Sequence, residues 1–223
     1  MGGKRQKAAA KSARDTPYVL HAAQLALANR CEQTPGAIVG VEGGGGKTGV
    51  ARAYVDSVKP RVCVFVSPSV EHARKKAKEV GADFAGPFAS SQLGPIGQKL
   101  SKGEAVRVMS TQQFWKRELA DVPRLVRTLF ATLGDVDVLL VLDEADKWYQ
   151  ASKYAHRLRA LREAVPRVRV LLLTASPGLE PGTKSAANRR QWAEAILGAE
   201  PARVRYSCIY PVVVSLVVVL PGR

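Results

Sequence analysis

The sequence predicts an α/β fold: a mostly parallel central sheet with helices on both faces, in three layers. Short apolar runs of strand length alternate with stretches whose apolar residues recur at helical spacing, the pattern of a parallel sheet with crossover helices. A glycine cluster, Gly43, Gly44, Gly45 and Gly46, stands where one apolar run gives way to a helical pattern. Carboxylates Asp143, Glu144 and Asp146 stand just past another run.

At 223 residues the chain suits one α/β domain with a tail and is too short for two domains of that size. Lys and Arg number 34 against 19 Asp and Glu, a net charge of +15 that favours contact with phosphate backbones. The three cysteines, Cys31, Cys63 and Cys208, lack metal-ligand spacing and point to a reducing compartment with inert thiols. The N-terminus carries charge without an apolar segment behind it, so no secretory signal is expected. Gln6 breaks the myristoylation pattern. The longest apolar run, Val212 to Leu220, falls far below the roughly 20 residues of a spanning helix. A soluble, intracellular protein without a membrane partner is the expectation; nothing separates nucleus from cytoplasm.

Taken in order, residues 1–15 are small and basic and predict a disordered arm. Thr16 as N-cap and Pro17 in the first turn open a helix reaching Arg30. Ala37 to Val41 is a strand, and Val50, Ala51, Tyr54, Val55 and Val58 place a helix after the glycines. Arg61 to Val66 is the next strand. Its helix carries Val70, Ala73, Ala77 and Val80 inward and Arg74, Lys75, Lys76 and Lys78 outward, with Gly81 closing it. Residues 82–103 hold no clear period and predict a long surface excursion with room for a short helix. A strand over Ala105 to Met109 follows. Next comes a helix beginning near Pro123, with Val122, Leu125, Val126, Leu129, Phe130 and Leu133 on one stripe. Val136 to Leu142 and Val168 to Leu173 are strands. They flank a helix with Tyr154, Leu158, Leu161 and Val165 inward and His156, Arg157, Arg159 and Arg162 outward. Ala186 to Leu197 predicts a last helix. Residues 201–223 predict a strand or tail, or the start of a linker to a further lobe.

The chemistry follows from these positions. A strand that ends in glycines and enters a helix leaves successive N–H groups pointing at one spot, where the helix dipole favours a polyphosphate. Glycine is required there because a Cβ would block the close approach of phosphate oxygens. Lys47 is then placed to reach the β- and γ-phosphates, and the Thr48 hydroxyl to hold Mg²⁺. The strict phosphate-loop pattern has a glycine where this chain has Val41. Acids just past a buried-type strand sit at its carboxyl edge, where open α/β sheets bind ligands. Asp143 can hold the Mg²⁺ through water while Glu144 polarises the attacking water. Three acids in four positions exceed what helix capping requires. Thr174 and Ser176 follow another strand end. The basic outer face that includes Arg74 is a candidate nucleic-acid contact.

Put in order, VEGGGGKT, VSPS, STQQF, VLDEAD and LLLTASP resemble the first RecA-like domain of superfamily 2 helicases and translocases, from Tyr18 to Pro177. The resemblance implies that Lys47 and Thr48 belong to the nucleotide motif and that Pro68 and Ser69 touch the nucleic-acid backbone. It gives Ser110 and Thr111 a similar duty. Asp143 to Asp146 spell the DEAD form of the acidic motif, and Thr174 with Ser176 implies coupling of hydrolysis to strand movement, with Asp146 beside them. Val19 replaces the glutamine that such enzymes use for adenine, and TASP replaces SAT, so a general member of the superfamily is preferred over a DEAD-box RNA helicase.

The resemblance also implies a second lobe supplying an arginine. Only 46 residues follow Pro177 (223 minus 177), too few for that lobe, so a partner lobe in trans or in a longer native chain is expected. An ATP hydrolase that is incomplete alone, acting on DNA or RNA, is therefore the first reading. A DNA-packaging-type ATPase and a catalytically inactive, helicase-like nucleic-acid-binding protein are the alternatives.

Overall fold

The computed structural model describes residues 36–41, 47–84, 88–145, 152–174, 201–207 and 213–219. The basic arm, the helix expected over Pro17 to Arg30, the four loop glycines, Asp146, Ser176 and the helix expected over Ala186 to Leu197 lie outside these residues. The strands are β1 (Gly36–Val41), β2 (Val62–Ser67), β3 (Val106–Thr111), β4 (Val138–Leu142), β5 (Val168–Thr174), β6 (Pro201–Ser207) and β7 (Val213–Val219). Among the described residues they form one sheet in the order β3-β2-β4-β5-β1-β7-β6. β1 to β5 run parallel, while β7 pairs antiparallel with β1 and β6 antiparallel with β7.

The helices are α1 (Lys47–Val58), α2 (Val70–Ala77), α3 (Leu93–Ser101) and α4 (Gln112–Glu118), followed by α5 and α6. α5 is three successive segments, Val122–Leu125, the wider π-helical turn Val126–Phe130, and Ala131–Leu133; α6 is Ser152–Ala164. All five residues of β4 are buried, because a parallel strand covered on both faces has no polar side. Its alternate side chains enter opposite cores. Val138, Leu140 and Leu142 pack with Ile96, Trp115, Leu129, Phe130 and Leu158 of α3 to α6. Leu139 and Val141 pack with Val50, Tyr54, Val55, Ala73 and Ala77 of α1 and α2. That is the expected three-layer α/β/α arrangement.

Leu140 is fully buried at the centre of this sheet. Leu140→Ala is expected to cost ~2–5 kcal/mol, because the cavity cannot collapse between two packed layers. Val70, expected inward, is 43% exposed at the start of α2, so Val70→Ala should stay within ~0.5 kcal/mol. Urea unfolding of the two variants checks the contrast.

Three further differences have local causes. α3 lies within the expected surface excursion, and its Ile96 is 1% exposed in the core. Leu93, Ile96 and Leu100 do recur at helical spacing, but Gly94, Pro95 and Gly97 lower the helix propensity and mask it. Arg162, expected on the outer face of α6, is half-buried, which pulls its guanidinium below the ordinary value. β6 occupies the sheet edge, where Pro201 can start a strand without losing a ladder bond. Burial pushes the Cys63 thiol far above its ordinary value, as suits an inert core thiol. Among the described residues no helix is long and apolar enough to cross a membrane.

Candidate active site

Because β1 to β5 are parallel, their carboxyl ends share one edge of the sheet, and α1, α2 and α4 each begin within a few residues of that edge. The strand before Lys47 and the strand before Asp143 are not neighbours. β5 lies between them, with Gly40 in register with Thr174 and Leu142 with Leu172. Two interstrand spacings separate β1 from β4 by ~10 Å. Thr174, fully buried at the end of β5, stands between the two strands.

Across this gap the Lys47 ammonium donates to Glu144 Oε1 at 3.1 Å, joining residues 97 apart in the chain. Lys47 heads α1, and its side chain is 13% exposed against 31% for Glu144. Asp143 continues β4, its N–H donating to the Val66 carbonyl at 2.9 Å. Its carboxylate accepts two bonds: from the Glu144 N–H to Oδ1 at 3.0 Å, and from the Lys76 ammonium to Oδ2 at 2.6 Å. Thr48, Ser67, Lys76 and Asp143 line one cleft.

Glu144 has φ of +52°, a left-handed conformation that is uncommon for any residue but glycine. Such strain persists only where neighbours over-determine it. Here the Ala145 N–H donates to the Leu173 carbonyl at 2.8 Å, and Gln112 Nε2 donates to the Asp143 carbonyl at 3.0 Å. The chain is thereby turned sharply after the strand, bringing the Glu144 carboxylate to Lys47.

A Thr hydroxyl and an Asp carboxylate are hard oxygen donors of the kind that suits Mg²⁺, which uses few protein ligands and takes the rest from water and phosphate. Among the described residues no group of three or more His, Cys, Asp or Glu side chains could hold a metal. Thr48 and Asp143 line one cleft and bring two such oxygen donors to it.

The other sequence-selected residues divide by exposure. Ser69 is exposed and caps α2, its hydroxyl accepting from the His72 N–H at 3.2 Å. Arg74 is exposed on the same helix, and Pro68 is half-buried between Ser69 and β2. Ser110 is fully buried. Thr111 is 7% exposed and caps α4, accepting from the Phe114 N–H at 3.2 Å. Sequence reasoning missed two residues at the acids, Gln112 and Lys76. Lys76 falls three residues after Ala73 and four before Val80, both buried, so its spacing placed it on the inward stripe that its charge argued against.

No protein-family model matches the chain, and no curated protein is significantly similar to it. Among solved structures the chain is similar to the crystal structure of T. fusca Cas3-ATP, with 19% sequence identity and a TM-score of 0.46. The match covers 89% of this chain and 24% of that one, so the chain spans about a quarter of the solved neighbour's length.

Proposed function

We propose that the chain is the ATP- and Mg²⁺-binding motor domain of a nucleic-acid helicase or translocase, coupling ATP hydrolysis to DNA or RNA and needing a second RecA-like lobe for full activity. The observation that carries this reading is the 3.1 Å approach of Lys47 to Glu144, with Thr48 and Asp143 lining the cleft beside it. The order of sequence motifs at successive strand ends supports the same reading. Gly43 to Gly46 and Lys47 bind the phosphates. Thr48 and Asp143 would hold the metal, which would supply charge neutralisation at the phosphates.

In hydrolysis Glu144 exchanges its bond from Lys47 for one from the attacking water, and Lys47 turns to the γ-phosphate. Both moves start from groups already in contact at 3.1 Å. The left-handed turn at Glu144 keeps its carboxylate there. Thr174, between the two strands, couples hydrolysis to strand movement, a role it shares with Asp146 and Ser176, which lie outside the described residues. Ser69 and Arg74, with the half-buried Pro68, offer contacts to a nucleic-acid backbone, whereas Ser110 and Thr111, expected to touch it too, are buried and do not present their hydroxyls to it.

The test is calorimetric titration with magnesium ATP, followed by ATP turnover with and without single-stranded DNA or RNA. Binding by the chain alone, weak turnover and stimulation by nucleic acid are expected. Nucleic-acid affinity should fall steeply with salt, about tenfold or more between 50 and 200 mM, because each phosphate contact releases counterions. Absence of any heat with magnesium nucleotide would remove the reading, and nucleic-acid affinity indifferent to nucleotide would favour a binding protein without the cycle.

A further inference from the structure

The ion pair between Lys76 and Asp143 is not required by the proposed hydrolysis, and its geometry is close. The ammonium lies 2.6 Å from Oδ2, and the two side chains are only 23% and 11% exposed. Lys75, its neighbour on α2, instead pairs with Glu71 one helical turn away, a pair 72% and 77% exposed to solvent. An exposed pair of that kind is worth little, whereas a pair shielded from solvent is screened less, and on a carboxylate read as a metal ligand it changes what that oxygen can bind. The Ser67 hydroxyl lines the same cleft, is buried and has no hydrogen-bond partner. A buried hydroxyl left without a partner costs free energy that an incoming polar group can recover.

We propose that Lys76 is a tethered counter-cation for Asp143, so that a divalent ion binds there by exchange with the ammonium. This rests on the reading of Asp143 as a metal ligand. Until exchange, Lys76 holds the carboxylate in place and offsets its charge. Whether the metal reaches Asp143 directly or through a bound water, the ammonium at 2.6 Å holds the place at Oδ2 that the metal or its water would take. Lys76 therefore sets the metal concentration at which the site fills. Because it projects from α2, whose outer face bears Ser69 and Arg74, displacement of α2 by a strand bound there would withdraw the ammonium and favour the metal.

The experiment measures metal binding rather than turnover. Mn²⁺ is titrated against the full chain in the presence of a non-hydrolysable ATP analogue, with free Mn²⁺ read by electron paramagnetic resonance. Lys76→Gln and Lys76→Met are expected to lower the half-saturating Mn²⁺ concentration at least tenfold, and Lys76→Arg to leave it within threefold. Unchanged or weaker metal binding in both neutral variants would overturn the proposal. Should those variants fail to fold, the wild-type chain still decides: Mn²⁺ should raise acetylation of Lys76, read by mass spectrometry, at least threefold relative to Lys75. An unchanged Lys76 to Lys75 ratio would overturn it. Asp143→Asn separates the two readings. If it abolishes Mn²⁺ binding while the Lys76 changes do nothing, only the exchange is lost; if it leaves Mn²⁺ binding intact, the metal assignment is lost with it.

Discussion

Glu144→Gln is expected to lower ATP turnover by ~10²–10⁴-fold, the range for removing a general base, while magnesium ATP still binds within a few-fold of the wild-type affinity. Glutamine keeps the volume of glutamate, and its amide oxygen can still accept the bond from Lys47, so the 3.1 Å contact need not be lost. What it loses is the capacity to take a proton from water. Its Cβ meets the same left-handed backbone at φ +52°, so the substitution adds no new backbone strain and the melting temperature should hardly move. Single-turnover phosphate release and nucleotide affinity, measured on the same preparation with or without a supplied partner lobe, separate the two effects. Turnover within threefold of wild type would remove Glu144 from the chemistry. A matching loss of affinity would make it a binding residue instead.

Strands buried on both faces announce themselves as apolar runs, unbroken in β2 and β4 up to their ends and broken in β5 only by Arg169 and the closing Thr174, so all three, and the acids following β4, were legible from the sequence pattern. α5 was legible because Leu125, Leu129, Phe130 and Leu133 keep one face, and Gly134, at φ +72°, marks its end. α3 was hidden because its glycines and proline argue locally against the helix that Ile96 stabilises from the core. β6 carried a readable alternation, with Val204 and Tyr206 set against Arg203 and Arg205, but Pro201 reads as a helix stop when no partner strand is known. Lys76 was legible only in part. Its spacing from Ala73 and Val80 put it on the inward stripe, but nothing local names its partner, and Asp143 is 67 residues away.

Lys47→Ala should have the other large effect, on binding as well as on rate. Hydrogen bonds to charged groups contribute ~1.5–3 kcal/mol net, so nucleotide affinity should weaken ~10–100-fold. The loss of a preorganised cation at the developing γ-phosphate charge should lower turnover by a further ~10²–10³-fold. The fold should survive, because Glu144 is 31% exposed and is solvated when its partner is removed, leaving only the small cost of an incompletely buried ion pair. Thermal melting within a few degrees of wild type, beside collapsed calorimetric heat, is the expected pair of results. Lys47→Arg should restore little, since a planar fork cannot occupy the compact position of an ammonium that alternates between Glu144 and a phosphate. Brisk hydrolysis by the alanine variant would mean that the triphosphate sits elsewhere. The approach of Lys47 to Glu144 would then be an ordinary structural ion pair joining α1 to the end of β4.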